Sequence, residues 1–263
     1  MKFSIPAVKL TVAISLAFLG CTRVQAQPKN STLPAQPLSQ SSRPLNKSLV
    51  FVAPPPPPNL GEPGRRSEAG SRGCEEEDQP LPKPNQREDK QLTALVPVYA
   101  PPNTQAVWAL TTAPHPTFWF YVPVYLPTSS GEFVLQDEGA QTVYQTSIKP
   151  PQTPGVISLS IPSTAAPLES GKRYHWYLNI YCRAEQPPDF VEGWIQKVEL
   201  SPTLRRQLKQ ATLQEQVALY ATNGIWHEAI AAAAKLRRTN PKSTDWATLL
   251  QTVGLDKLSQ KPL

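Results

Sequence analysis

The chain has 263 residues, a formal net charge of +6 and 31 prolines, and 17% of its residues are charged. This length allows one or two domains. Residues 27–102 hold sixteen of the prolines, and such a segment cannot bury enough apolar surface to offset the entropy lost on ordering. We therefore predict a proline-rich disordered linker over 27–90 and a folded part from residue 91 to the C-terminus.

The first 26 residues have the organisation of a signal peptide. Positive charge precedes an apolar run over 10–21 that is too short to cross a bilayer. Val24-Gln25-Ala26 has the small residues of a signal-peptidase site, which predicts cleavage after Ala26. The alternative is a lipoprotein processed at Cys21, because Leu19-Gly20-Cys21 is similar to the end of a lipobox. In both cases we expect an exported protein, periplasmic or extracellular, whose mature chain has no transmembrane segment.

Export determines how the cysteines are interpreted. Loss of the signal peptide removes Cys21, and two thiols in an oxidising compartment most simply form one disulfide. We therefore predict a bond between Cys74 and Cys182 that ties the linker to the folded domain. The alternative is a metal or nucleophilic site, but cysteines this far apart, without an HxxxH pair, lack the required spacing.

The basic residues of the mature chain are concentrated near its C-terminus. Residues 201–263 contain nine basic and four acidic side chains. A basic surface could meet nucleic acid or anionic lipid, yet the chain carries no known nucleic-acid motif. We expect no nucleic-acid partner and interpret this surface as a solvated basic face.

Short runs rich in β-branched and aromatic residues, separated by proline, glycine or polar clusters, predict seven or eight strands. They lie at 92–98, 106–111, 117–122, 132–136, 142–147, 156–161, 174–182 and 191–200. No helix-length pattern interrupts them. The pattern therefore predicts an antiparallel β-sandwich domain over 91–200 rather than alternating α/β units.

The stretch Leu168-x-x-Gly171-x-x-Tyr174 resembles the tyrosine corner of immunoglobulin and fibronectin type III sandwiches, in which the hydroxyl bonds back to the backbone. It predicts a sandwich of that type. Alternation after the corner assigns Tyr174, Trp176, Leu178 and Ile180 to the core and His175, Tyr177, Asn179 and Tyr181 to the other face. That second face is aromatic as well as polar, which is unusual for a face that meets only water.

After residue 200 the sequence has the period of helices. Ser201-Pro202 forms an N-cap and first-turn pair, and Thr212-x-x-Glu215 is typical of a capping box. Further helices are predicted up to Asn223-Gly224, from Trp226 to before Pro241, and near 245–253. The spacing also matches one tetratricopeptide repeat, but a solenoid needs about three. The favoured interpretation of 201–263 is a short helical hairpin packed on the sandwich.

This hairpin is predicted to cover one sheet that carries both the 117–121 and the 174–182 strands. Both strands have aromatic residues on faces that should be polar if they met water. Trp226 is expected among the covering residues, which would give three layers. The candidate binding or helix-covered face consists of Trp119, Tyr121, His175, Tyr177 and Trp194.

Several sequence blocks, taken together, are similar to those of a known family. The blocks are Gly64-Arg65-Arg66 with Gly70-Ser71-Arg72-Gly73-x-Cys74, the stretch 116–123, Leu168-Glu169-x-Gly171-Lys172-x-Tyr174-x-Trp176, and Val191-x-Gly193-Trp194-Ile195. From about residue 64 to 255 the chain resembles the domain-of-unknown-function family 928, whose members are chiefly exported cyanobacterial proteins. The resemblance implies export and brings no established activity, cofactor or catalytic residue.

The residues themselves predict no catalytic site, metal site or cofactor. The histidines lack metal-site spacing, the segment 64–73 lacks the ending of a phosphate loop, and nothing brings Glu192 near the Asp137-Glu138 pair, as glycoside hydrolysis would need. Two hypotheses follow. The first is a non-catalytic binding or scaffold module of the periplasm or cell surface, with a protein or glycan partner. The alternative is a carbohydrate-binding or carbohydrate-active protein that uses exposed aromatic rings of the candidate face; burial of those rings under the helices would favour the first.

Overall fold

The computed structural model describes residues 49–67, 91–99, 106–123, 125, 127–183 and 185–263. These residues form nine β-strands in two sheets, followed by four α-helices. The fold is therefore mainly β with a C-terminal helical part, as the sequence predicts.

The larger sheet has six strands in the order β2-β3-β9-β8-β5-β6. They are β2 (Val98–Tyr99), β3 (Ala106–Thr111), β5 (Ser130–Asp137), β6 (Thr142–Ile148), β8 (Arg173–Tyr181) and β9 (Asp189–Lys197). Neighbouring strands are antiparallel except β3 and β9, which run parallel with Trp108 opposite Trp194. The prediction of an antiparallel sandwich is wrong for this pair. Most of the domain lies between the two strands and supplies the long crossover that a parallel pair requires.

The smaller sheet has three strands, β1 (Thr93–Ala94), β4 (Thr117–Val122) and β7 (Gly155–Ser160), in the order β1-β4-β7. Both of its pairings are antiparallel. The single strand predicted over 92–98 is in fact two short strands, β1 and β2, in different sheets. Pro97 lies between them and has no backbone N–H to donate, so it ends the ladder.

Aromatic side chains from both sheets meet in one core. Phe118 of β4 lies 4.8 Å, centroid to centroid, from Phe133 of β5, and Phe120 lies 5.7 Å from Trp176 of β8. The rings are tilted or edge-on, which is the arrangement that aromatic quadrupoles favour. The sheets are therefore packed face to face, with β4 over β5 and β8.

The turn before β8 is held by a tyrosine hydroxyl. The Tyr174 hydroxyl oxygen accepts a hydrogen bond of 3.0 Å from the backbone N–H of Glu169, five residues upstream. Leu168 is buried beside this turn, and Gly171 has φ +83°, a left-handed conformation that favours glycine. The three residues singled out in the sequence thus form one local structure.

The helices are α1 (Pro202–Gln210), α2 (Leu213–Thr222), α3 (Trp226–Thr239) and α4 (Asp245–Gln251), and a 3-10 turn follows at Asp256–Leu258. The predicted caps are confirmed. The Ser201 hydroxyl accepts from the N–H of Leu204, and Thr212 and Glu215 form a reciprocal capping box. Each cap satisfies a backbone donor that the helix itself leaves unpaired.

α4 packs on the outer face of the smaller sheet, and α3 packs against β3 of the larger sheet as well as against β4. Trp119 of β4 lies 5.9 Å from Trp246 of α4, and the Trp226 indole N–H donates to the Leu95 carbonyl at 2.8 Å. The helices therefore cover β4, but β4 and β8 belong to different sheets. The prediction that one helical layer covers both strands is wrong, because alternation shows which face a residue occupies and not which sheet its strand joins.

Residues 49–67, here called the N-terminal arm, pack along the folded domain. Phe51 is buried with its ring 5.0 Å from that of Trp226, the Val52 N–H donates to the Ala221 carbonyl, and the Pro54 carbonyl accepts from the Trp108 indole. The structure differs here from the predicted disordered linker. Proline has no backbone N–H to donate, but its carbonyl group can still accept a hydrogen bond and its ring can still pack against the folded domain. The predicted signal peptide and residues 27–48 and 68–90 of the predicted linker lie outside the described residues.

The end of the arm joins the two sheets. Residues 62–67, here called the edge segment, exchange two backbone hydrogen bonds of 2.9 Å between Arg65 and Glu192 of β9. Two residues further on, Ser67 forms a bridge with Thr93 of β1. In the larger sheet the edge segment therefore fills the part of the interior strand β9 that β3 leaves unpaired, and in the smaller sheet it meets the edge strand β1.

A buried carboxylate links α3 to the loop between β3 and β4. Glu228 Oε1 accepts hydrogen bonds from the Thr111 hydroxyl and from the N–H groups of Thr112 and Ala113, at 2.7–2.9 Å. Burial raises the pKa of Glu228. We expect Glu228→Ala to lower the free energy of unfolding by about 2 kcal/mol, because it leaves the Thr112 N–H without its acceptor and the Ala113 N–H with only the Thr111 hydroxyl. Urea unfolding measures the loss.

Glu228→Gln is the matched control, since its amide oxygen can still accept from these donors. Its loss of stability should be clearly smaller than that of the alanine variant. Equal losses for the two variants would show that the three hydrogen bonds contribute nothing specific.

Candidate functional site

The residues predicted to form one binding or helix-covered face lie in two separate places. Trp119 and Tyr121, on β4, are only 6% and 1% exposed. The guanidinium of Arg238 lies 5.6 Å from the Trp119 ring, and the Lys261 ammonium lies 5.6 Å from the Tyr121 ring. These two rings are therefore packed under the helices and the C-terminal tail, away from solvent.

His175, Tyr177 and Trp194 lie together on the outer face of the larger sheet. The register of β8 and β9 puts His175 opposite Trp194 and Tyr177 opposite Glu192. The His175 imidazole stacks on the Trp194 ring, with 4.4 Å between the ring centroids and an interplanar angle of 9°. Its Nδ1 lies 2.7 Å from the Tyr177 hydroxyl oxygen, and its Nε2 lies 3.1 Å from Glu192 Oε2. Burial, with the charges of Glu192 and Glu62, raises the pKa of Tyr177.

This cluster holds the N-terminal arm. The Trp194 indole N–H donates to the Glu62 carbonyl at 3.0 Å. The same ring approaches Gly61 so closely that a Cβ there would lie 2.7 Å from Trp194 Cζ2. His175 itself is only 5% exposed. The outer-face aromatics near β9 are therefore used in internal packing.

The rest of that outer face is more open. Tyr181, at the end of β8, is 38% exposed, and Asn179 and Tyr177 precede it on the same face. Burial, followed by the charge of Glu132 and a hydrogen bond to it, raises the pKa of Tyr181. Gln145 of β6 donates to Glu132. This part of the sheet is a polar surface with two tyrosine rings.

A groove opens between β6, an edge strand of the larger sheet, and β7, an edge strand of the smaller sheet. Its cavity volume is about 290 Å³, and Phe133 lies among its lining residues. The registers place Tyr144 and Ile148 on the core face of β6, and Ile157 and Leu159 on the core face of β7. All four are only partly buried. Three strands cannot cover the inner face of six, so apolar side chains remain accessible here.

The backbone of β7 also faces this groove. The Val156 N–H donates away from β4 to the Pro262 carbonyl at 2.7 Å. Because bonding direction alternates along an antiparallel strand, the backbone groups of Ser158 and Ser160 also point away from β4. Within the described part of the chain, no strand pairs with this edge of β7 or with the outer edge of β6. Sequence reasoning missed the groove, because it depends on the unequal number of strands in the two sheets.

The described residues include one of the two cysteines of the predicted disulfide. Cys182 directly follows β8 and is partly buried against the core, whereas Cys74 lies outside the described residues. The disulfide stays a prediction. Mass spectrometry of the thiol-blocked, non-reduced protein should show no alkylation of either cysteine, and Cys74→Ser should make Cys182 reactive. Alkylation of both cysteines in the unmodified protein would contradict the bond.

Over the described ranges, no group of three or more histidine, cysteine, aspartate or glutamate side chains is placed to hold a metal ion. In those same ranges, none of the helices combines the length and the apolar character needed to cross a membrane.

Fold and site together define a two-sheet β-protein with a C-terminal helical layer, an arm bound along one side and an open groove at the other. The chain belongs to the family described as Domain of Unknown Function (DUF928), whose sequence model matches residues 67–263. The match begins at the end of the edge segment and includes all the strands and helices given above. No curated protein matches the chain.

Proposed function

We propose that the protein is an exported, non-catalytic binding or scaffold module that binds its partner in the groove between β6 and β7. The observation that carries this proposal is the partial exposure of Tyr144, Ile148, Ile157 and Leu159 on faces that point into the core. Concave apolar openings with a few polar groups are the usual form of binding sites. Soluble domains otherwise cover such surfaces.

The contacts of the histidines support a non-catalytic role. His227 is buried with Nδ1 3.1 Å from the Thr117 carbonyl, and His115 Nε2 lies 3.1 Å from the Ala165 carbonyl. His175 is fixed between Trp194, Tyr177 and Glu192. Each imidazole is used in packing or in positioning the backbone, and none lines the groove.

Export remains part of the proposal and rests on the first 26 residues. Protein recovered from the periplasm or the medium should have the intact mass of a chain that begins at Gln27. A diacylglyceryl-modified N-terminus at Cys21 would instead make the protein a lipoprotein. An unprocessed chain found only inside the cell would remove export from the proposal. The turn at Tyr174 supports the further proposal that the two sheets are related to immunoglobulin-like sandwiches.

An apolar dye tests the groove as a binding site. Folded protein should enhance the fluorescence of 1-anilinonaphthalene-8-sulfonate in a saturable way, and Leu159→Lys or Ile148→Lys should abolish most of the enhancement. Both side chains are partly exposed, so the lysine amines can reach water. Val50→Lys is the matched control, because Val50 is 51% exposed and lies in the arm.

Two results would contradict the groove proposal. One is the absence of saturable dye binding by the folded protein. The other is dye binding that Leu159→Lys and Ile148→Lys leave unchanged while the melting temperature is retained.

A second candidate function, carbohydrate binding, is favoured by the open part of the outer face. Tyr177, Asn179 and Tyr181 alternate along β8 beside Glu132, and this mixture of rings, amide and carboxylate can contact both the apolar faces and the hydroxyl groups of sugars. Soluble polysaccharides in a native gel should retard the protein, and Tyr181→Ala should remove the retardation. Equal mobility with and without glycan would exclude this candidate for the glycans used.

A further inference from the structure

The groove between β6 and β7 has the backbone, side-chain and charge features of a site for one kind of partner. We infer that it binds an extended peptide of a partner protein, added antiparallel along β7, with apolar residues at alternate positions and acidic residues at its C-terminal end. This inference rests on the proposed function and specifies the ligand of the same site.

The free edge of β7 provides the backbone partners. Ser158 and Ser160 direct their N–H and C=O groups away from β4, and both residues are exposed. The C-terminal tail already pairs with the first position of this edge through Val156 and Pro262. An added strand continues that ladder from Val156 towards Ser160, which is the main-chain part of β-strand addition.

The opposite side of the domain shows that the smaller sheet accepts extended chain at its other edge, β1. There Ser67 of the edge segment forms a bridge with Thr93 of the edge strand β1, and Arg65 pairs with Glu192 of the interior strand β9. The edge segment does so without belonging to a regular strand of its own. The β6–β7 side offers the same kind of edge, and within the described residues only the tail contact at Val156 occupies it.

Side chains on the two faces of the added strand would meet different surroundings. One face points into the groove, towards Tyr144, Ile148 and Leu159, and therefore requires apolar residues at alternate positions. The other face lies beside the hydroxyl groups of Thr117 and Ser160, which bond to each other at 2.8 Å, and suits small polar residues. The ligand therefore has the alternating pattern of a half-buried strand.

The charged residues near the groove determine the direction in which the peptide binds. Among the described residues, none of those that line the groove is acidic. Lys149 is exposed directly after Ile148, and Lys261 precedes Pro262 at the Val156 end of the ladder. In an antiparallel addition, which is the commoner arrangement, the C-terminus of the ligand lies at this end. Acidic residues there would face the two lysines.

The experiment uses a fluorescent probe peptide, acetyl-Ser-Val-Thr-Val-Thr-Val-Asp-Asp-amide, and the full mature chain. Fluorescence anisotropy should show saturable binding. Leu159→Lys should weaken it about tenfold or more, because it places a charge against apolar side chains. Lys149→Glu should weaken the binding of this probe about threefold. A second probe, in which two lysines replace the two C-terminal aspartates, should bind the Lys149→Glu variant more tightly than it binds the original protein. A probe with prolines in place of both threonines should lose binding, because it lacks ladder donors.

Lys172→Glu is the matched control for charge, since Lys172 is exposed in the turn before β8 and pairs only locally with Glu169. It should leave the affinity unchanged. A photoreactive benzoylphenylalanine in place of Ser158 should crosslink to the probe, whereas the same group in place of Ser170 should not. This second measurement decides the question if a lysine variant fails to fold.

The outcomes separate the inference from the proposed function. Dye binding in the groove without probe binding would overturn the peptide ligand and leave the groove as a binding site. Probe binding that is insensitive to Leu159→Lys, or that crosslinks equally from position 170, would overturn the location. If the folded protein binds neither the dye nor the probe, the inference and the proposed function are both overturned.

Discussion

Replacing Trp226 with alanine is expected to lower the free energy of unfolding of the whole domain by about 3–5 kcal/mol. Trp226 is fully buried, its ring packs edge-on against Phe51, and its indole N–H donates to the Leu95 carbonyl. The residue therefore joins α3, the N-terminal arm and the chain after β1. For a domain of this size the loss corresponds to a fall in Tm of roughly 10 °C, and circular dichroism and tryptophan fluorescence should report one common transition.

Two variants separate the contributions of Trp226. Trp226→Phe removes the hydrogen bond but keeps an aromatic ring, so a smaller loss is expected. Val52→Ala should have almost no effect, because the Val52 side chain is 53% exposed. A second, earlier transition confined to helical signal would show that the helices unfold separately from the sheets, contrary to this expectation.

The stability of the folded domain should depend on His227 as the pH falls. Burial lowers the pKa of His227 to about 4, although its hydrogen bond to the Thr117 carbonyl acts in the opposite direction. In an unfolded chain the pKa is about 6.5. At pH values between about 4 and 6.5, His227 therefore binds a proton in the unfolded chain but not in the folded chain. The stability contributed by neutral His227 is therefore complete above pH 6.5 and is lost as the pH falls towards 4.

The expected loss is about 3 kcal/mol over this window. It is measured as the difference in unfolding free energy between the original protein and His227→Phe, at pH 7.5 and at pH 4.5. The phenylalanine can occupy the site beside Phe118 and does not titrate. Both proteins carry Glu228, so its own raised pKa, which acts in the opposite sense, cancels in the comparison. A difference that stays constant with pH would contradict a buried neutral imidazole.

Local sequence signals predicted local structure well. The predicted strands at 106–111 and 117–122 coincide with β3 and β4, and the Thr212–Glu215 capping box is present. In these segments alternation, turn residues and caps act over a few positions, so the sequence contains the information directly. The face assignments along β8 also follow from alternation, with Trp176 in the core and His175 on the other side.

Contacts between distant parts of the chain were not predictable in the same way. Nothing near Trp108 indicates that β3 pairs in parallel with β9, and nothing in the proline run indicates that Pro54 accepts a hydrogen bond from Trp108. The groove depends on a difference in strand number that arises only when all nine strands have been assigned to sheets. The candidate site therefore required the structure, although each residue that lines it was already part of a predicted strand or next to one.

The edge segment has a consequence for the order in which the domain can fold. Its partners lie far along the chain: the bond between Trp194 and the Glu62 carbonyl spans 132 positions, and that between Arg66 and the Val253 carbonyl spans 187. Such separations give a high contact order, which is typical of domains that fold in milliseconds to seconds. A nascent chain that stops before β9 would present β3 and β8 as unpaired edges, and such edges recruit other chains. Closure of the domain must therefore wait until almost the whole polypeptide has been made.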